Sequence, residues 1–146
     1  MPKPATAPLR TADFERLAAF RFELRSFLHF SEVATGRVGL TGQQYQAMLF
    51  VRSRREGLPV SIKDLARHML IRHNSAVGLT DRLAAQGLME RERMPHDRRR
   101  VRLRLTAKGE RVLGRLAQAH RRKLRRMGPD IHRILGELAG AWTARS

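Results

Sequence analysis

The chain has 146 residues, with 30 lysines and arginines, 13 aspartates and glutamates, and no cysteine. The formal net charge of +17 creates a field that attracts polyanions, although it does not by itself indicate a fold. The lack of cysteine excludes disulfides, thiolate metal sites and cysteine nucleophiles. No apolar run approaches the length of a membrane span, and the start MPKPATAPLR does not resemble a signal peptide. We therefore expect a cytoplasmic, nucleoid-associated protein with no membrane partner.

A loose arm is predicted for residues 1–10, followed by a first helix over residues 11–36. Two apolar stripes recur along this helix at helical spacing, one of leucines and one of phenylalanines. The stripes consist of Leu17, Leu24 and Leu28, and of Phe20, Phe27 and Phe30. A helix that is apolar over so much of its circumference is typical of one covered by two partners, here the chain's own core and a second subunit.

Three further helices are predicted from their capping residues. Thr41 is a good N-cap for a helix in LTGQQYQAMLFVRS. Ser61, with Asp64 three residues later, forms an approximate capping box at the start of SIKDLARHML. After a short break, NSAVGLTDRLAAQG predicts a fourth helix, with Gly87 placed where a helix ends in the left-handed conformation.

The hydrophobic period then changes from 3.6 residues to 2, which indicates strands. LMERER and VRLRLT are predicted to form a hairpin joined by the turn MPHDRRR. In the second strand, Val101, Leu103 and Leu105 are predicted to point to one face, while Arg100, Arg102 and Arg104 point to the other.

A fifth helix is predicted to start at Thr106, with an apolar row that runs from Leu113 through His120 to Met127. The tripeptide GPD at residues 128–130 is predicted to break it. A final helix then follows, with one apolar face formed by Ile131, Ile134, Leu135, Leu138 and Trp142.

Two short helices with a tight break, followed by a two-stranded hairpin, describe a winged helix-turn-helix. In that arrangement the second helix enters the DNA major groove. Arginine at the tip of the wing can enter the narrow, negative minor groove. The charge distribution agrees, because residues 88–126 hold 15 lysines and arginines against four acids, which is +11 of the total +17.

Three motifs, in order, give a family resemblance. DRRRVRLRLTAKG resembles the wing and following helix start of the MarR family of bacterial regulators, whose usual form is D-x-R, an alternating strand and L-T-x-x-G. LTDRLAAQGLMER resembles the end of the family's recognition helix, and LTGQQY resembles the start of its second helix. The match runs from about Leu40 to Gly109, while the outer helices agree in length and amphipathicity only.

The resemblance implies one MarR-like domain that is mainly helical with a small two-stranded wing. Residues 41–105 would form the winged helix-turn-helix, and residues 11–36 and 106–146 would form dimerisation helices. It further implies a homodimer, so that each subunit presents one winged helix to a pseudo-palindromic operator. By position, Asp97 would brace the wing tip through a salt bridge, Arg99 would enter the minor groove, and Arg82 would face a phosphate.

This sequence departs from the family pattern before Asp81, where Val77 and Gly78 replace a polar pair that is frequently Thr-Arg. Valine can touch a thymine methyl, whereas glycine allows close approach but reads no base edge. Direct base contact is therefore expected from the start of the recognition helix. The complete predicted set of DNA-contacting residues is His73, Asn74, Ser75, Val77, Gly78, Arg82, Asp97, Arg98, Arg99 and Arg100.

Simpler interpretations compete with these assignments. The three arginines of the turn would then be a solvated turn, although a triplet of like charges repels itself unless an anion is near. His73, Asn74 and Ser75 would only cap a helix, and Arg82 would pair with Asp81 or Glu90 on the surface. The run HRRKLRR at residues 120–126 looks like a nucleic-acid patch, but a solvated face or the rim of an interface also explains it.

An effector pocket is the other site that the resemblance implies, because members of the family often bind small aromatic or phenolic acids between helices. Candidate lining residues are Phe27, Phe30, Tyr45 and Met48, although core packing explains them equally well. The sequence contains no nucleophile–base pair, no glycine-rich phosphate loop and no histidine pair with metal-ligand spacing. No enzyme activity, catalytic residue, metal site or cofactor is therefore predicted.

These observations predict a sequence-specific, double-stranded-DNA-binding transcriptional regulator. It would act as a repressor that a small molecule, such as an aromatic acid, releases from DNA. The alternative is a basic architectural or RNA-binding protein that is indifferent to sequence, which the charge excess also permits.

Overall fold

The computed structural model describes residues 8–54 and 58–143, with side chains described up to residue 140. Within these residues, five helices and two strands follow one another. They are α1 (Thr11–Gly36), α2 (Gly42–Ser53), α3 (Ile62–Met69), α4 (His73–Ala85), β1 (Met89–Met94), β2 (Asp97–Leu105) and α5 (Ala107–Thr143). The mainly helical fold with a small two-stranded wing is confirmed. Residues 1–7 of the predicted arm lie outside the described residues, as does the side chain of Trp142.

The chain forms two compact units. One contains the segments up to Ser31 and from His120 onward, and the other contains Glu32–Ala119. None of the described helices has the combination of length and apolar character that a membrane span needs.

Side-chain caps fix where α2 and α3 begin, as predicted. The Thr41 hydroxyl accepts a hydrogen bond from the Gln44 N–H at 3.1 Å, and the Gln44 side chain accepts one from the Thr41 N–H at 3.0 Å. Ser61 and Asp64 form the same reciprocal box at the start of α3. Hydrogen bonds from the Ser61 backbone and side chain lower the pKa of the Asp64 carboxyl, so the cap is intact wherever that group is ionised.

The core of the Glu32–Ala119 unit is made by α2, α3, α4, the hairpin and the start of α5. Met48, Leu65 and Leu83 are completely buried in it. Leu103 and Leu105 of β2 are buried there as well, so the predicted alternation along this strand is confirmed at its inner end. It fails at Val101, which is 39% exposed because it lies next to the wing tip, beyond the reach of the core. Full burial of one such side chain stabilises the fold by about 1.5–3 kcal/mol.

The hairpin differs from the prediction at its tip. β2 begins at Asp97 and not at Val101, so Arg98–Arg100 belong to the strand and not to the turn. β1 and β2 pair in antiparallel register from Met89 opposite Leu105 to Arg93 opposite Val101, and the next pair is Met94 with Asp97. Between these two pairs β1 advances by one residue and β2 by four, so β2 contains a bulge of three extra residues. Sequence alternation alone does not indicate which strand holds extra residues.

The predicted helix break at GPD is wrong, because α5 continues through Pro129 to Thr143. Proline removes one backbone hydrogen bond and disfavours the helix by about 3 kcal/mol. Packing offsets this cost. Met127, Ile134 and Leu138 are all at least nine-tenths buried, and their spacings of seven and four residues keep them on one helical face across the proline.

The start of α5 is held against the end of α4. Gly87 has a φ of +71°, and the Leu88 N–H donates to the Leu83 carbonyl at 3.0 Å, as in a Schellman motif. The Thr106 hydroxyl donates to the Gly87 carbonyl at 2.6 Å and accepts from the Gly109 N–H at 3.0 Å. A Cβ at Gly109 would collide with the Leu88 backbone carbonyl. The glycine of the L-T-x-x-G pattern, Gly109, is therefore needed because α5 lies very close to the backbone just before β1.

We predict that Gly109→Ala lowers the free energy of unfolding by about 1–3 kcal/mol, since the methyl group can only fit if the backbone moves. Gly114→Ala is the matched control in the same helix, because its Cβ would meet nothing within 4 Å. That variant is expected to gain up to about 1 kcal/mol from helix propensity. Urea denaturation measures both, and equal effects would show that Gly109 is not needed for the close approach.

Candidate nucleic-acid interface

The first turn of α4 presents the polar residues that were predicted to contact bases. The N-cap of α4 is Arg72, with extended backbone angles and no side-chain cap hydrogen bond. His73, Asn74 and Ser75 follow it inside the helix, and all three are exposed. None of the three is the N-cap of α4, so the simpler interpretation that they only cap this helix is wrong.

The middle of α4 offers a flat, cationic surface. Val77 and Gly78 are partly exposed, and Arg82 lies one turn later. A Cβ built at Gly78 lies 3.5 Å from Nη1 of Arg82, so the guanidinium extends back over the glycine. Small size at Gly78 thus leaves room for the Arg82 side chain along the outer face of the helix.

The two acids that were considered as partners of Arg82 have other partners. Asp81 forms an ion pair with Arg91 of β1 at 2.7 Å, and Glu90 pairs with Arg104 of β2 at 3.5 Å. Arg82 is exposed and takes part in neither pair. This arrangement is compatible with the phosphate contact that the resemblance implies.

Sequence reasoning missed Leu70, in the turn between α3 and α4. Its φ of +56° is left-handed, and its N–H donates to carbonyls at the end of α3. Leu70 is 92% exposed. A left-handed backbone is unfavourable for a residue with a Cβ atom, so both its exposure and its conformation are unusual for a leucine. The only sequence signal was that the turn segment MLIR contains no glycine. A residue with a side chain, here a leucine, therefore has to adopt the left-handed conformation three residues before His73.

The bulge at the wing tip contains the three arginines. Arg98, Arg99 and Arg100 lie between the paired residues Asp97 and Val101, and all three are exposed. The Oδ1 atom of Asp97 accepts a hydrogen bond from the backbone N–H of Arg99 at 3.1 Å. Asp97 therefore fixes the backbone of the tip, and this hydrogen bond is the bracing contact that the structure provides.

Arginines behind the tip are paired with glutamates of β1. Arg102 Nε donates to Glu92 Oε2 at 2.8 Å, and Arg104 Nη1 donates to the same oxygen at 3.3 Å. The hydrogen bond from Arg102 is the main cause that lowers the pKa of the Glu92 carboxyl, so this carboxylate stays ionised at neutral pH. Within β2, the positive charge available to an anion is thereby concentrated at Arg98–Arg100.

The four predicted pocket residues fall in different compact units. Tyr45 and Met48 belong to the core of the Glu32–Ala119 unit, where packing accounts for both. Phe27 and Phe30 belong to the other unit and direct ring edges at His120, with centroids 5.8 and 5.4 Å away. The shared pocket stays a prediction. No cluster of three metal-ligating side chains occurs among the described residues.

Residues 38–100 match a model of the MarR family. This segment contains α2, α3, α4, β1 and the arginine bulge of β2, so it coincides with the surface described above. No curated protein matched the chain.

Solved structures extend the similarity in fold to most of the chain. AbsC, a MarR family transcriptional regulator from Streptomyces coelicolor, has a TM-score of 0.73 at 24% identity, with 93% of both chains covered. The F27L mutant of MepR from S. aureus, bound to an oligodeoxyribonucleotide, has a TM-score of 0.64 at 14% identity, with 87% of this chain and 95% of that chain covered. CouR from Rhodococcus jostii RHA1, bound to p-coumaroyl-CoA, has a TM-score of 0.61 at 22% identity, with 78% and 84% covered.

We predict that Arg99→Ala weakens duplex binding by about 1–3 kcal/mol, because the substitution removes a charged group from the tip. Arg104→Ala removes the same charge from the same strand, but Arg104 is already paired with Glu90 and Glu92. It is expected to cost less. Fluorescence anisotropy on a duplex that the unmodified protein prefers compares the two, and equal weakening by both variants would contradict the assignment of the tip.

Proposed function

We propose that this chain, whose residues 38–100 match a model of the MarR family, is a transcriptional regulator that binds specific sequences in double-stranded DNA. The observation that carries the proposal is the three-arginine bulge at the wing tip, whose arginines are exposed and whose neighbouring acid is hydrogen-bonded to the backbone. Guanidinium groups in this position suit the narrow minor groove.

The recognition helix supplies the second half of the contact. Its first turn exposes an imidazole, an amide and a hydroxyl at His73, Asn74 and Ser75. An asparagine side chain can form two hydrogen bonds with adenine, and the other two groups can donate or accept. With Val77 beside a thymine methyl and Arg82 on a phosphate, α4 would combine base readout with backbone positioning. The MepR mutant solved with an oligodeoxyribonucleotide shares the fold and so supports this use of the surface.

We propose that two chains bind together as a homodimer. A single chain exposes large apolar side chains on α1, among them Phe14 at 57%, Phe22 at 66% and Leu28 at 60%. On α5, Leu135 is 45% exposed. Monomeric proteins rarely leave so much apolar surface in contact with water, so a second copy is the natural cover. A symmetric pair places its recognition helices about 34–36 Å apart on successive major grooves.

Release by a ligand completes the proposal. We propose a small aromatic acid as the effector; CouR has been solved with p-coumaroyl-CoA, a CoA thioester that shares only its aromatic acyl part with such an acid. Such a ligand would favour one spacing of the recognition helices and so shift the population away from the DNA-binding form. The chain would then act as a repressor whose DNA contacts are relieved by its effector.

The test is selection of bound sequences from a pool of random duplexes. A specific dimeric regulator is expected to enrich a pseudo-palindrome and to prefer it over random DNA by roughly 10³-fold or more. Equal binding to every duplex would favour the architectural alternative and would overturn the proposal.

We predict that Leu135→Arg shifts the protein from dimer to monomer in sedimentation velocity, because an unpaired guanidinium cannot be buried in an apolar interface. Leu49→Arg on α2 is the matched control, since Leu49 is 42% exposed but lies outside α1 and α5. It is expected to leave the dimer intact. A Leu135→Arg protein that remains fully dimeric would remove this part of α5 from the interface.

A further inference from the structure

A second cluster of exposed arginines lies on α5, away from the wing. Arg121, Arg122, Arg125 and Arg126 are all exposed, and we call these four residues the arginine ridge. At 3.6 residues per turn they occupy a continuous arc of about 140° around the helix. The opposite side of the same two turns carries the buried His120 and Met127.

Contacts within this unit distinguish the ridge from the neighbouring cation. Lys123 lies over the ring of Phe30, with its Nζ atom 5.7 Å from the centroid. His120 lies 2.9 Å from the Ser31 hydroxyl and is packed between aromatic edges. The ridge is therefore the outward face of a helix whose other face is well packed.

The ion pairs of the same unit involve arginines outside the ridge. Its ion pairs join Arg16 to Asp13 and Glu137, and they join Arg133 to Asp130 and Glu137. The ridge takes part in none of these pairs. Between Glu110 and Asp130 the sequence of α5 contains no acid, and Asp130, which lies four residues after Arg126, forms its ion pair with Arg133.

This pattern is not what solubility alone requires. Exposed helical faces usually intersperse the two signs of charge. The ridge instead contains two adjacent like-charge pairs at i,i+4 spacing, and the repulsion within each pair destabilises the helix. An anion held along the helix would remove this repulsion.

We propose that the arginine ridge is a second, sequence-independent binding surface for the phosphate backbone of duplex DNA. All four cations are arginine, whose planar fork binds phosphate in a bidentate manner, and residues four apart rise about 6 Å along the axis. A membrane-surface helix carries a whole apolar face beside its cations, whereas residues 121–126 offer one exposed apolar side chain, Leu124, which is 44% exposed and lies about 60° outside the arc. The choice of duplex DNA as the polyanion rests on the proposed function.

Two double variants with the same change in charge test the ridge. Arg122/Arg126→Gln removes one i,i+4 pair from the ridge, and Arg21/Arg25→Gln removes an exposed i,i+4 pair from α1 of the same unit. Binding to a random-sequence duplex is measured at salt concentrations between about 50 and 200 mM. In the ridge variant, the slope of log K against log salt is expected to become shallower by about 0.9 for each phosphate that the protein no longer neutralises. The slope of the control variant is expected to stay unchanged.

Arg122/Arg126→Lys is the rescue variant and should retain the slope of the unmodified protein, because the charges remain. Arg126→Gln alone serves as a milder version should the double variant melt early in circular dichroism. Equal slopes in the ridge and control variants would overturn the inference, since general net charge would then explain the binding. So would ridge-dependent binding to phosphatidylserine vesicles without any ridge effect on the duplex.

The outcome is separable from that of the proposed function. The ridge variant is expected to keep the ratio of operator to random-duplex affinity, because both affinities fall together. Failure of the random-pool selection would refute the proposed function but would still leave the ridge slope measurable. Normal selection with no ridge effect would refute only this inference.

Discussion

The scarcity of carboxylates determines where this protein can hold an anion. With 13 acids and 30 lysines and arginines, each carboxylate neutralises only the cations that it can reach, and its position decides which arginines remain available. Glu92 neutralises Arg102, and Asp81 neutralises Arg91. Exposed ion pairs of this kind contribute at most about 1 kcal/mol to stability. Their larger effect is to confine uncompensated charge to a few places, and the wing tip is the clearest of these.

Backbone register acts together with charge at the tip. β1 has six residues and β2 has nine, and the extra three are the consecutive arginines 98–100. In a regular strand, neighbouring side chains would point to opposite faces, so one arginine would be directed away from the other two. A bulge releases that constraint, and the Asp97 hydrogen bond to the Arg99 N–H then fixes the released backbone. Composition supplies the cations, and the end of the hairpin exposes all three together with their neighbours.

Features set by local chemistry could be predicted from the sequence. Thr41 and Ser61 are N-caps, and Gly87 has the left-handed conformation, because each depends on a few adjacent residues. The register of β2 could not be read in the same way, since it depends on how many residues of one strand oppose the other. Ion pairing of Arg102 was likewise invisible, because β1 and β2 both alternate charge and only the register decides which groups meet.

At Pro129, the local sequence predicts a helix break that the structure does not contain. Glycine followed by proline normally ends a helix, and no residue near the pair predicts otherwise. The helix continues because burial on one face, from Met127 to Leu138, is worth more than the hydrogen bond that proline removes. A sequence pattern shows that Met127, Ile134 and Leu138 share a helical phase, but it does not show that a single partner face buries all three. Tertiary packing therefore overrides the local signal.

Arginines on the wing and on α5 differ in the geometry that supports them, and this difference separates specificity from affinity. A side chain that reads a groove must be held in a fixed position, and the bulge and the Asp97 hydrogen bond hold the backbone of the tip. A contact with phosphate needs only charge at a suitable spacing, which a regular helix provides. On our proposal, cations of the second kind would raise the affinity for operator and random DNA by the same factor, so the ratio between the two affinities would be left to α4 and the wing. A chain built in this way would bind DNA more tightly through α5 without a change in the sequence that it selects.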